Sequence, residues 1–179
     1  MKNIFLFLSL TLLLASCKSF DKEISAINNL TSKWDAVANM ASAFSNSLNE
    51  ANADFTQKIA GVEIDSSAFA TLPTEQQDKI LMAKENLMSV GNELTGLTDD
   101  FGLLLDEWNA KSDMVDKLKE NVSAKTFDPG TLTEVEDLTS FVDNTNNQLG
   151  QFNERLETLK EGVTTNHADL SGLMASLVK

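Results

Sequence analysis

Residues 80–108, ILMAKENLMSVGNELTGLTDDFGLLLDEW, decide the fold. Apolar residues recur at Ile80, Ala83, Leu87, Val90, Leu94, Leu97, Phe101, Leu104 and Trp108, in alternating steps of three and four. That spacing keeps one stripe of a 3.6-residue helix apolar. Sustained over this length, it marks a coiled-coil or bundle seam rather than a generic surface helix. The series continues through Val115, Leu118 and Val122, with Lys111 as its one polar interruption.

The same alternation appears on both sides of this stretch. Upstream it runs Leu30, Trp34, Val37, Ala41, Phe44, Leu48, Ala51 and Phe55. Downstream it runs Leu138, Val142, Leu149, Phe152, Leu156, Leu159, Val163, Leu170, Leu173 and Leu177, with Thr145 and Asn166 at in-register polar positions. Two breaks separate the three segments. Residues 61–74 mix glycine, β-branched residues, serines and a proline, and Thr74 with Gln77 reads as a capping box. Asp128-Pro129-Gly130 is a strong turn, followed by Thr131 and Glu134 as a second capping box. The predicted helices cover about 20–61, 75–124 and 132–178, each roughly 63–75 Å long at 1.5 Å per residue. Similar lengths and short connections favour antiparallel neighbours. The expected fold is all-α, an elongated antiparallel three-helix bundle. Its rival is an open coiled coil that completes its core by homo-oligomerising.

Small and polar residues qualify that seam. Alanines 41, 51 and 83 allow close helix approach, and a buried Thr145 or Asn166 would set register at a cost in stability. Gly91, Gly96 and Gly102 flank the seam inside the second segment, each about 1 kcal/mol worse than alanine there. Close approach of a neighbouring helix explains such glycines, and a hinge is the alternative.

Residues 1–17, MKNIFLFLSLTLLLASC, have a different character. Lys2 precedes an apolar run from Ile4 to Ala15, too short to span a bilayer as a helix and ending at small residues. The tetrad Leu14-Ala15-Ser16-Cys17 resembles the lipobox of bacterial lipoproteins. The resemblance implies a signal peptide over 1–16 and a mature chain over 17–179. It also implies that Cys17, the single cysteine of the chain, carries the acyl chains, palmitate among them, that anchor the protein. Two or three acyl chains hold a protein stably on a membrane, whereas one does so only marginally. Lys18 stands where some lipoproteins carry an aspartate that retains them at the inner membrane, which points to the outer membrane.

With Cys17 acylated no thiol remains, so packing alone stabilises the mature chain. The mature part holds 13 of the 14 basic residues and all 27 acidic ones, a net of −14. Such a surface repels phosphate backbones, and nucleic-acid binding is not expected.

Residues suited to catalysis are sparse. His167 is the only histidine; with no free thiol beside it, a transition-metal site is not expected. Asp143, Thr145, Asn147, Gln151 and Glu154 fit a calcium-loop frame. Gln148, however, replaces the required glycine, and Val142, Leu149 and Phe152 keep the helical period through the stretch. The acidic pairs Asp99-Asp100, Asp106-Glu107 and Glu136-Asp137 read as a solvated helix face. No nucleophile elbow or phosphate loop is present. The expectation is a protein that is no enzyme and needs no cofactor.

Three function classes follow. The first is an envelope-anchored interaction or scaffold module with a protein partner. The second rests on similarity to the small murein lipoprotein family, lipidated coiled coils whose C-terminal lysine is joined to peptidoglycan, and makes Lys179 the attachment point. The third is a membrane-active or lipid-handling bundle. For a partner site the sequence offers one apolar cluster off the seam: Ile64, Phe69 and Leu72 in the connection, and Leu81, Met82 and Met88 at the start of the second helix. These residues are expected either to fold into a mini-core or to stay exposed for a partner.

Overall fold

The computed structural model describes residues 20–62 and 66–175. Among these residues the chain is an all-α helical bundle with four helices and no strand: α1 (Asp21–Ala60), α2 (Ser66–Ala70), α3 (Thr74–Ala124) and α4 (Thr131–Ala175). Most of the seam positions read from the sequence are buried, while Ala41, Phe55, Ala83, Val90, Trp108, Val122, Phe152 and Leu173 are half-buried. Leu87, Leu94, Leu97, Val142, Leu149, Leu156 and Leu170 are fully enclosed. The chain divides into two compact units, residues 1–34 with 111–142 and residues 35–110 with 143–179, so each long helix contributes a segment to both.

In the first unit Ile27, Leu30 and Trp34 of α1 are buried, as are Val115 and Leu118 of α3 and Val135, Leu138 and Val142 of α4. Lys111, the polar interruption of the α3 seam, is accommodated by stacking its ammonium over the Phe141 ring, 5.2 Å from the centroid. Phe141 also lies 6.3 Å from Trp34. A cation on an aromatic face contributes about 0.5–1 kcal/mol at such partly exposed sites.

The two helix ends at the α3–α4 connection are closed in different ways. At the end of α3 the backbone N–H of Thr126 donates to Asn121 O and that of Lys125 to Val122 O, with Lys125 at φ 54°. This is a left-handed C-cap in which lysine occupies the place that usually holds glycine. At the start of α4 the Gly130 carbonyl accepts from the Glu134 N–H. The buried Thr131 hydroxyl instead accepts from the Asp128 N–H at 3.1 Å. The expected Thr131–Glu134 capping box is therefore replaced by a side chain that reaches back into the turn. α3 begins similarly: Pro73 O accepts from the N–H groups of Gln76 and Gln77, and the Gln77 amide reaches back to Leu72 O at 2.9 Å. Proline's carbonyl, not the Thr74 hydroxyl, opens that helix.

The second unit is built around Phe44, whose ring meets Phe101 edge-on at 4.8 Å and lies 5.8 Å from Phe152. Contacts along its helices define the topology. Phe55 touches the Gly91 position and Phe44 meets Phe101, so residue numbers rise in α1 as they fall in α3. Asp100 pairs with Arg155, and Asn86 O accepts from Asn166, which sets α3 and α4 antiparallel as well. Phe44 with Phe152 and Lys58 with Thr164 run in the same sense, so α1 and α4 are parallel. Within this unit the helices run up, down and up.

Of the three seam glycines, Gly91 alone answers to close approach by the helix opposite. A β-carbon there would lie 2.2 Å from Phe55 Cζ. Gly96 has only the Arg155 side chain near it, and Gly102 faces open space. The other tight glycine is Gly162 on α4, where a β-carbon would lie 3.3 Å from Val90 Cγ2. Of the in-register polar residues, Thr145 is buried and Asn166 is half-buried.

Candidate functional site

The six apolar residues proposed from the sequence as a partner site do not act as one cluster. Phe69, on α2, and Leu72 are half-buried and pack against a core cluster of Ile80, Leu87 and Leu170. Phe55, Ile59, Val62, Ala83, Leu173 and Met174 join them. This part is a mini-core, closed by α2 and by the turn in which Leu72 N–H donates to Phe69 O. Leu81, Met82 and Met88 remain exposed, Met82 the most at 63%. Ile64 lies outside the described residues, as do Cys17, the rest of the lipobox, Leu177 and Lys179.

Helical geometry explains the division. Ile80 and Leu87 lie on the inward stripe of α3, seven residues apart, and the next residue in each case, Leu81 or Met88, is turned about 100° away from it. Met82 faces a third direction. With Lys79, Ala83 and Asn86 it lines one wall of an open cleft of about 610 Å³ whose other wall is Ala168, Asp169, Gly172 and Leu173 of α4.

The α4 wall was not singled out from the sequence. Its signal is Ala168 and Gly172, two small residues at helical spacing on a helix that is otherwise well supplied with leucine. They lower that wall and leave the Met82 side chain without a neighbour to cover it. A β-carbon added at Gly172 would meet nothing within 4 Å.

The two charged residues that line the cleft, Lys79 and Asp169, are of opposite sign, and the charged residues next to them on the same helix faces are acidic. Lys79 is paired with Glu75, Nζ to Oε1 at 2.7 Å. That ammonium donates a hydrogen bond to the Glu75 carboxylate and attracts it electrostatically, holding its pKa below the usual carboxylate value. Asp169 stands on the opposite wall. Glu93 and Glu161, both exposed, lie seven residues from Asn86 and Ala168 on the same helix faces.

The calcium-loop frame forms no loop: residues 143–154 are continuous helix within α4, which points its oxygen-bearing side chains in different directions, with Thr145 buried. Among the described residues no three of His, Cys, Asp or Glu gather closely enough to hold a metal ion. His167 contacts the Ser171 hydroxyl one turn on, at 3.4 Å. Among the same residues no helix is long and apolar enough to cross a membrane.

No protein-family model matches the chain, and no curated protein or solved structure proved similar to it.

Proposed function

We propose that this chain is a lipid-anchored lipoprotein of the cell envelope whose helical bundle serves as a non-enzymatic interaction module. The observation that carries the interaction reading is the cleft between α3 and α4, in which an exposed methionine lies over a wall of small residues. Large apolar side chains gathered at a concave surface are costly to leave in water and commonly mark a partner site. Methionine in particular adapts to varied partner shapes. The anchor reading rests on Leu14-Ala15-Ser16-Cys17. Phe20, where the described structure begins, is three residues beyond that cysteine, which ties the bundle to the lipid through a short connection.

Two measurements test the proposal in cells producing the full-length protein. Labelling with a clickable palmitate analogue should tag the wild type and fail with Cys17→Ser; a labelled, membrane-bound Cys17→Ser protein rejects the anchor. A photo-crosslinking residue placed at exposed surface positions of α3, Met82 and Leu103 among them, should give discrete protein adducts. Absence of adducts at every position rejects the interaction module.

A further inference from the structure

Charge is divided unequally between the two compact units. Residues 35–110 and 143–179 hold 18 acidic and 6 basic residues, whereas residues 1–34 and 111–142 hold 9 and 8. The second unit thus has a net charge of −12 and the first of −1. The cleft lies within the second unit.

From this arrangement we infer that the α3–α4 cleft of the second unit is a docking groove for one amphipathic helix of a partner protein with a basic border. The inference rests on the interaction-module reading and specifies the partner. Met82, Ala83, Ala168, Gly172 and Leu173 form the apolar floor. Asp169 lines the groove, and Glu75 beside it and Glu93 and Glu161, seven residues beyond it on the same helix faces, extend an acidic border; the one lining ammonium, Lys79, is neutralised by Glu75. From Lys79 to Asn86 the α3 wall of the groove measures about 10 Å at 1.5 Å per residue, and the acidic border on that helix runs on from Glu75 to Glu93, about 27 Å, the length of a helix of about 18 residues. Helix-in-groove recognition works this way: an apolar face enters the groove, and charges on either side select orientation and partner.

Charge also decides between occupants. A second copy of this chain would bring the same carboxylates against one another in a two-fold contact, which like-charge repulsion opposes. An anionic lipid surface is repelled for the same reason. Lysine or arginine beside an apolar stripe complements both the floor and its border. The field of the whole unit would speed the encounter and make it sensitive to salt.

The test uses two synthetic peptides of about 18 residues, long enough to cross the groove and reach its acidic border from Glu75 to Glu93. They share one leucine–alanine face, and one is bordered by lysines, the other by glutamates. Binding to the full-length protein is read by fluorescence anisotropy. The lysine-bordered peptide should bind, and more weakly as ionic strength rises. Gly172→Phe should fill the groove without disturbing α4, since that position faces open space. It should weaken binding at least about tenfold, the loss expected when a central pocket closes. Gly102→Phe, which also faces open space but lies 16 residues from Asn86 along α3, should stay within about twofold of wild type. Met82→Asp, at an exposed position, provides a second variant if Gly172→Phe lowers the melting temperature. Equal affinity of the two peptides, or unchanged binding to both groove variants, overturns the inference. Photo-crosslinking separates this failure from that of the module: adducts at Leu103 with none at Met82 reject the groove alone, whereas adducts at neither position reject the module too.

Discussion

At the residue scale, Gly91 shows how one missing β-carbon positions two helices. Alanine there would gain up to about 1 kcal/mol of helix propensity. It would also drive a methyl into the Phe55 ring, 2.2 Å away, and overpacking of that kind costs about 1–3 kcal/mol. Gly91→Ala should therefore destabilise the protein in chemical denaturation. In a Phe55→Ala background the same change should stabilise by up to about 1 kcal/mol, because only the propensity term remains. The same sign in both backgrounds would show that the ring does not set the approach. Lys125 is the converse case, a side chain where none is wanted: its φ of 54° is left-handed. Lys125→Gly should raise stability by roughly 1 kcal/mol in the same denaturant assay by removing that strain. Glu75 offers a pH test. Because Lys79 depresses its folded-state pKa, any stabilisation from the pair is present at neutral pH and fades as pH falls through that lowered value. Carbon-detected NMR titration should find the Glu75 carboxyl below an ordinary glutamate, and Lys79→Met should return it upward.

The element scale is where α2 matters. Five residues cannot sustain a helix alone, so Ser66–Ala70 holds its shape because Phe69 packs on the Ile80–Leu87–Leu170 cluster. Phe69→Ser should cost about 1–3 kcal/mol, less than the 3–5 of a fully buried phenylalanine, and should lower the melting temperature. Met82→Ser, 63% exposed in the wild type, should change stability by no more than about 0.5 kcal/mol. Equal losses at the two sites would mean that the exposed methionine is covered after all. Helix ends were the least legible features of these elements. Thr131 and Glu134 have capping-box spacing, yet Gly130 supplies the capping carbonyl and the Thr131 hydroxyl turns back to Asp128. Spacing alone does not distinguish a hydroxyl that caps its own helix from one that braces the preceding turn. That choice depends on how the Asp128-Pro129-Gly130 turn folds.

For the whole molecule, the dominant electrostatic feature is the excess of 12 negative charges in the second unit. Self-repulsion of this kind weakens a compact state, and salt relieves it. Raising ionic strength from about 10 mM to about 150 mM shortens the screening length from about 30 Å to about 8 Å. The melting temperature should rise over that interval in scanning calorimetry. A flat or falling response would mean that the ion pairs Lys58–Asp54, Lys79–Glu75, Arg155–Asp100 and Lys160–Glu157 outweigh the repulsion.

The sequence by itself determined the three long helices, their breaks and their inward stripes. A 3–4 apolar period is a local property, and water drives that stripe inward whatever it packs against; Leu87, Leu94, Leu149 and Leu156 could thus be named before any contact was known. Only the tertiary structure decided the fate of the apolar residues off that stripe. Phe69 and Leu72 lie close to Leu81 and Met82 in sequence, but the first two pack on a cluster that includes Leu170 of α4, and the others meet solvent. The cleft has the same origin. Its α3 wall carried a visible surplus of hydrophobic side chains, while its α4 wall is formed by Ala168 and Gly172, where side-chain bulk is missing. A missing side chain becomes a site only when another helix stands opposite it, and which helix does so is a long-range property of the fold.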